Sequence, residues 1–247
     1  MNVKQYLDST YLKTASQAGL SEAENTIVVK NAIAEAIQEG FKLIMIRPEY
    51  VSLAKKMIVE ANSVLLVGTV IDFPEGKSSL EDKIKEANEA IANGADDLDF
   101  VCNYEAFKNG DLDLVKKEIL IGTQIGLAND KTVKWIIEVA ALTDKEIIQL
   151  SALIKHVVVS NFKDDDFDSV FVKSSTGFYK TENNQPNGAT VPAIIMMLEN
   201  ASPLSVKAAG GVRSFEEAAE MINLGVKRIG TSAAKAIVNG EISPNQY

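Results

Sequence analysis

Eight short runs rich in β-branched residues alternate with eight amphipathic stretches along this chain, and that alternation constrains the fold more than any other feature. The strand-forming runs lie near Leu7–Thr10, Leu43–Ile46, Val64–Ile71, Asp97–Val101, Val133–Val139, Ser169–Ser174, Leu204–Ala209 and Arg228–Gly230. The helical period places helices at Ser21–Glu39, Glu49–Glu60, Leu80–Asn93, Leu112–Leu127, Asp144–Val157, Val191–Asn200 and Ser214–Leu224, with a last one after Ser232. Ser21 with Glu24 and Ser214 with Glu217 fit the capping box, in which side chains satisfy orphaned N–H donors at a helix start. Gly40, Gly94 and Gly225 stand where a left-handed C-cap favours a residue without Cβ. Eight uninterrupted βα units suit a closed barrel of parallel strands, whereas an open doubly wound sheet usually has fewer. No G-x-G-x-x-G follows any of the runs, so the dinucleotide-binding alternative lacks its fingerprint. The expected fold is therefore α/β, a single (β/α)8 TIM barrel spanning residues 1–247, with a flexible C-terminal tail from about residue 239.

Composition narrows the function. Of the 247 residues 46% are hydrophobic and 24% charged, and no linker divides them, which fits one domain with a sizeable core. A net charge of -9 argues against nucleic acid, because binding a phosphate backbone takes a dense basic surface. Neither a signal peptide nor a run approaching the ~18 apolar residues of a membrane span is present, so a cytoplasmic protein without membrane contact is expected. The single cysteine, Cys102, and single histidine, His156, exclude a disulfide framework and the familiar thiolate or imidazole metal clusters. The acidic run Asn161 to Asp166 reads as a solvated loop, so no metal and no cofactor is expected.

Polar residues at the C-terminal ends of barrel strands face the active site. Three stand out there among apolar neighbours: Asp99 in the fourth run, Lys173 in the sixth and Lys207 in the seventh. An internal ion-pair network is one reading, since a buried charge needs a partner. The other is chemical. Only a neutral amine attacks a carbonyl, and burial beside a second cation can bring a lysine down from ~10.4 far enough to supply it. Lys173 and Lys207 are one βα unit apart, hence on adjacent strands, and Asp99 could exchange protons with an intermediate.

The ends of the last three strands are rich in small residues: Thr176-Gly177, Gly210-Gly211 and Gly230-Thr231-Ser232. Such loops let backbone N–H groups approach an oxyanion, so a phosphate site is expected at that corner. Basic side chains and oriented N–H groups would capture an anionic substrate despite the acidic surface.

The segments Lys173-Ser174-Ser175-Thr176-Gly177-Phe178 and Lys207-Ala208-Ala209-Gly210-Gly211-Val212-Arg213 resemble the two lysine motifs of class I deoxyribose-phosphate aldolases. Leu7-Asp8-Ser9-Thr10-Tyr11-Leu12-Lys13, Phe73-Pro74-Glu75-Gly76, Gly94-Ala95-Asp96-Asp97-Leu98-Asp99, Gly188-Ala189-Thr190-Val191 and Arg228-Ile229-Gly230-Thr231-Ser232 extend the resemblance along almost the whole chain. The resemblance implies reversible cleavage of 2-deoxy-D-ribose 5-phosphate to D-glyceraldehyde 3-phosphate and acetaldehyde. It makes Lys173 the Schiff-base lysine, Lys207 its pKa-lowering partner, Asp99 the acid/base residue and Asp8 a supporting relay to Lys207. Tyr247 at the chain end would reach into the site, as in relatives that end in tyrosine. Ser9, Met45, Cys102-Asn103-Tyr104 and Ala233 depart from the family's more usual residues. The expected partner is a small phosphorylated sugar. Sequence does not fix the oligomeric state, for which a homodimer is the working expectation. The alternatives are another Schiff-base barrel aldolase and a non-catalytic sugar-phosphate-binding barrel.

Overall fold

Residues 2–182 and 185–242 are described by the computed structural model. Eight strands pair in chain order: β1 (Leu7–Tyr11), β2 (Leu43–Ile46), β3 (Leu66–Ile71), β4 (Asp97–Val101), β5 (Thr132–Ile136), β6 (Val170–Lys173), β7 (Ser205–Ala209) and β8 (Arg228–Thr231). β8 returns to β1 and closes the barrel. Every pairing is parallel, so each connection must cross the length of the strand, and helices make those crossings. The helices are α1 (Ala15–Ala18), α2 (Glu22–Glu39), α3 (Val51–Glu60), α4 (Leu80–Ala92), α5 (Tyr104–Lys108), α6 (Leu112–Ala128), α7 (Asp144–Asn161), α8 (Val191–Ala201), α9 (Phe215–Leu224) and α10 (Ala234–Asn239). Both capping boxes form, and Gly40 and Gly225 close their helices in the left-handed region. Gly94 takes the same region one residue beyond the Asn93 cap of α4.

Two cores result from strand alternation. The outer one fills the space between barrel and helices. There the Trp135 indole stacks on Phe100 with ring centroids 4.9 Å apart, and its N–H donates to Thr123 of α6. The second is inside the barrel, where Leu12, Leu43, Met45 and Val70 form a separate apolar cluster with Phe73 and Phe178 packed on it. The apolar cluster draws its strand residues from β2 and β3. Inward positions of β1 and β4 to β8 instead carry Asp8, Asp97, Asp99, Lys134, Lys173, Lys207 and Arg228, all buried.

The structure departs from the sequence expectation where local geometry overrides pattern. β5 stops at Ile136 rather than Val139, because Glu138 takes a positive φ of 55° that leaves the strand. α7 continues through Asn161, and the acidic residues after it, with Asp164 and Asp165 exposed, lie on a 3-10 turn, Asp164–Ser169. The short helices α1 and α5 fall below the length at which hydrophobic period is visible. His156 is exposed on α7, away from the barrel interior. Among the described residues no helix is long and apolar enough to cross a membrane, and no cluster of three His, Cys, Asp or Glu is placed to hold a metal.

Candidate active site

Strand register assembles the site. Asp97 and Asp99 are two residues apart on β4 and so face the same way, into the barrel. Asp99 is paired in register with Lys134 of β5, and Lys173 of β6 with Lys207 of β7. Asp99 Oδ2 accepts from Lys173 Nζ and from Lys207 Nζ, each at 2.9 Å, while Oδ1 accepts from Lys134 Nζ at 2.8 Å. Lys207 Nζ also makes an ion contact of 2.6 Å with Asp8 Oδ2, whose geometry is not that of an aligned hydrogen bond. Arg228 spans Asp8 and Asp97 at 2.7 and 3.1 Å, and Lys134 donates to Asp97 at 2.6 Å. The network therefore contains four basic side chains and three carboxylates. It is balanced when one base is neutral.

Lys173 is placed to be that base. Burial pushes its pKa down, the Lys207 and Lys134 cations push the same way, and Asp99 opposes them, leaving a value of about 8. Burial is thus the largest cause, and the second lysine acts behind it. Lys207 goes the other way: burial lowers its pKa, but Asp8 and Asp99 outweigh burial and hold it raised. Burial would raise Asp99, yet the three ammonium groups keep its carboxyl well below the usual range. Asp8 is likewise lowered against burial, mainly by Arg228 and Lys207.

A cavity of about 440 Å³ opens at the C-terminal ends of the strands, within the range of small-ligand sites. Lys173 lines it; Lys207 and Lys134 lie beneath, with no exposed surface. Thr176 and Gly177 after β6, Gly210 and Gly211 after β7, and Gly230, Thr231 and Ser232 at the end of β8 all border this same cavity. Gly177, Gly210 and Gly211 have φ between 79° and 91°, a conformation that lets the loops turn back over the opening. Thr10 of β1 and Arg213 border it as well, and Arg213 adds a cation at the rim. Tyr247 lies outside the described residues, as does most of the tail expected from residue 239.

Four buried residues of this region were not singled out from sequence. Lys134 carries the same signal as Lys173, a charge among strand-forming neighbours, and Asp97 shares the parity of Asp99. Arg228 opens β8, the end of the strand opposite the glycine-rich loops, where a charge gives no signal of a site. Glu138 follows β5, and its carboxyl group turns toward Ser175 and Thr176 of the next loop.

Comparison with known proteins points to one family. A family model described as DeoC/LacD family aldolase matches residues 5–242. The deoxyribose-phosphate aldolase of Thermococcus gammatolerans is 37% identical over 241 residues, covering 97% of this chain and 96% of the relative. That of Streptococcus pneumoniae serotype 19F is 36% identical over 248 residues, covering 100% of both chains. Among solved structures, the deoxyribose phosphate aldolase of Aeropyrum pernix, described as having a unique tetrameric structure, superposes with a TM-score of 0.75 at 26% identity. That match covers 96% of this chain and 89% of the other.

Proposed function

The chain belongs to the DeoC/LacD family of aldolases, and we propose that its reaction is the reversible cleavage of 2-deoxy-D-ribose 5-phosphate through a Schiff base on Lys173. One observation carries the residue assignment: of the three lysines on Asp99, only Lys173 borders the cavity. At a pKa of about 8, roughly a tenth of this lysine is neutral at pH 7. The neutral amine adds to C1 of the open-chain aldehyde, and loss of water gives an iminium. The C3 hydroxyl gives up its proton as the C2–C3 bond breaks. C3 becomes the aldehyde of D-glyceraldehyde 3-phosphate, and the bonding pair moves into the enamine. Protonation at C2 and hydrolysis release acetaldehyde and restore the lysine. Asp99 exchanges protons with the carbinolamine, while Lys207, held by Asp8, keeps a positive charge beneath the reacting nitrogen. The loops after β6, β7 and β8 receive the phosphate, with Arg213 at the rim. We take the acting form to be a cytoplasmic homodimer, which light scattering on the purified protein would check.

The decisive test is incubation with substrate and borohydride, followed by peptide mass mapping. The expected result is one reduced adduct, on Lys173. Label on Lys207 or Lys134 would overturn the assignment, and binding without label or cleavage would favour a non-catalytic barrel.

A further inference from the structure

Glu138 has no part in the chemistry above, yet it is 1% exposed beside the lysine and the loop assigned to the phosphate. Its φ of 55° is one that non-glycine residues adopt at some cost, and it turns the side chain across β6. Val139 N donates to Ser174 O at 2.8 Å and Ile137 N to Lys173 O at 3.0 Å, so this turn is pinned against the lysine strand.

The hydrogen-bond count around Ser175 is informative. Its hydroxyl has one proton to give and two lone pairs. Gly177 N donates to Ser175 Oγ at 2.9 Å, using one lone pair. Two further oxygens are in reach, Glu138 Oε1 at 2.8 Å and the Asn187 carbonyl at 2.6 Å. Were Glu138 a carboxylate, one proton would face two acceptors, and one close oxygen pair would have no hydrogen between them. A proton on Oε1 resolves the conflict: Glu138 donates to Ser175, and Ser175 donates to Asn187. The other carboxyl oxygen accepts from Thr176 N at 3.1 Å and from the Thr176 hydroxyl, which itself accepts from Phe178 N at 3.0 Å. Asn187 Nδ2 then returns to Gly177 O at 3.2 Å and ties the far side of the same loop.

From this we propose that Glu138 is held protonated and is a positioning residue, fixing the Ser175-Thr176-Gly177 loop for the phosphate without adding a negative charge beside it. The inference rests on the aldolase reading of the site. The titratable groups facing Glu138 are Lys173 from β6 and Tyr104 from α5. Burial raises the Glu138 pKa against the hydrogen bonds from Thr176 and Ser175 and the Lys173 charge, in the direction the bonding pattern requires. An ionised Glu138 would repel the phosphate and would also favour the ammonium form of Lys173. Both effects run against catalysis.

Two measurements test this, one independent of activity. In the infrared difference spectrum between wild type and Glu138→Gln at pH 7, a protonated carboxyl band should be lost; loss of carboxylate bands instead would overturn the proposal. In kinetics, Glu138→Ala should raise KM for the phosphorylated substrate about tenfold or more, the scale of one or two buried hydrogen bonds. Its kcat/KM for unphosphorylated 2-deoxyribose should change much less. Glu138→Gln, whose amide can donate to Ser175 and accept from Thr176, should recover most of the lost affinity. Equal damage by Gln and Ala would overturn the proposal even if Glu138→Ala folds poorly. Failure of the aldolase reading would be seen separately, as a wild-type enzyme that does not cleave the substrate.

Discussion

Asp99 offers two oxygens to three ammonium groups, and the competition among them sets the state of Lys173. Replacing Lys207 by leucine removes a cation and also leaves more of the Asp99 charge to act on Lys173. Both changes raise its pKa. A rise from about 8 toward 10 would cut the neutral fraction at pH 7 by about 100-fold. Lys207→Leu should therefore lose about two orders of magnitude in kcat/KM at pH 7 and regain about tenfold per pH unit up to its new pKa. The wild type should level off above pH 8. A mutant whose pH–rate profile runs parallel to that of wild type would remove this cation from the mechanism. The three residues of this argument were legible because charges among Val, Phe and Ala in short strands have few structural uses. Lys134 is equally legible, since it holds the third position of β5 as Asp99 does of β4 and Lys207 of β7. Glu138 was not visible at all. Its role depends on a backbone turn that no residue pattern specifies.

The three loops after β6, β7 and β8 border one cavity, and backbone contact between segments holds them together, as where Ala189 N donates to Gly210 O at 2.8 Å. The segment leading into α8 crosses directly over the loop after β7. A Cβ on Gly188 would stand 2.4 Å from Gly210 O, 2.5 Å from Gly210 Cα and 2.6 Å from Ala209 O, all backbone atoms that cannot swing aside. Gly188→Ala should push these two loops apart, costing ~1–3 kcal/mol of stability and raising KM for the phosphorylated substrate more than for 2-deoxyribose. Gly211 differs: a Cβ there meets nothing within 4 Å, but its φ of 91° strains any other residue. Gly211→Ala should cost about 1 kcal/mol in urea unfolding, with a smaller KM effect than Gly188→Ala. The reverse order would mean that strain, not the close approach of backbones, shapes the site. The elements themselves were mostly readable, since caps at Ser21 and Ser214 and glycine stops mark helix ends in sequence. What escaped was set by tertiary contact. β5 ends early where Glu138 turns, and α7 gains a turn beyond Val157 before the chain re-enters the barrel at β6.

For the whole molecule, closing the barrel brings Asp8 and Arg228, 220 positions apart, to 2.7 Å and gathers four basic side chains inside a chain of net charge -9. Within it, Lys173 is the member whose burial works against folding. Lys173 falls from 10.5 to about 8 on burial, so between those values the unfolded chain binds more protons than the folded one. Stability from this group is lost as pH falls from 10.5 through 8, and below that the penalty is about 3 kcal/mol. Lys173→Met keeps the aliphatic stem, leaves three basic groups with three carboxylates, and still leaves Asp99 with Lys134 and Lys207. It should abolish Schiff-base formation and yet make the protein more stable at pH 7 by roughly 1–3 kcal/mol, a gain of several degrees in Tm. The gain should shrink toward pH 10, where the wild-type lysine is neutral in the folded state. Lys207→Met is the opposite case, because its raised pKa reports favourable pairing, and its loss leaves Asp8 and Asp99 short of a cation. That variant should lose ~3–5 kcal/mol, the usual consequence of breaking a buried pair. Urea unfolding of both variants at pH 7 and pH 10 checks the argument. A Lys173→Met protein less stable than wild type at pH 7, or an advantage that grows with pH, would show that the reactive lysine is a structural ion-pair partner rather than the strained member of the network.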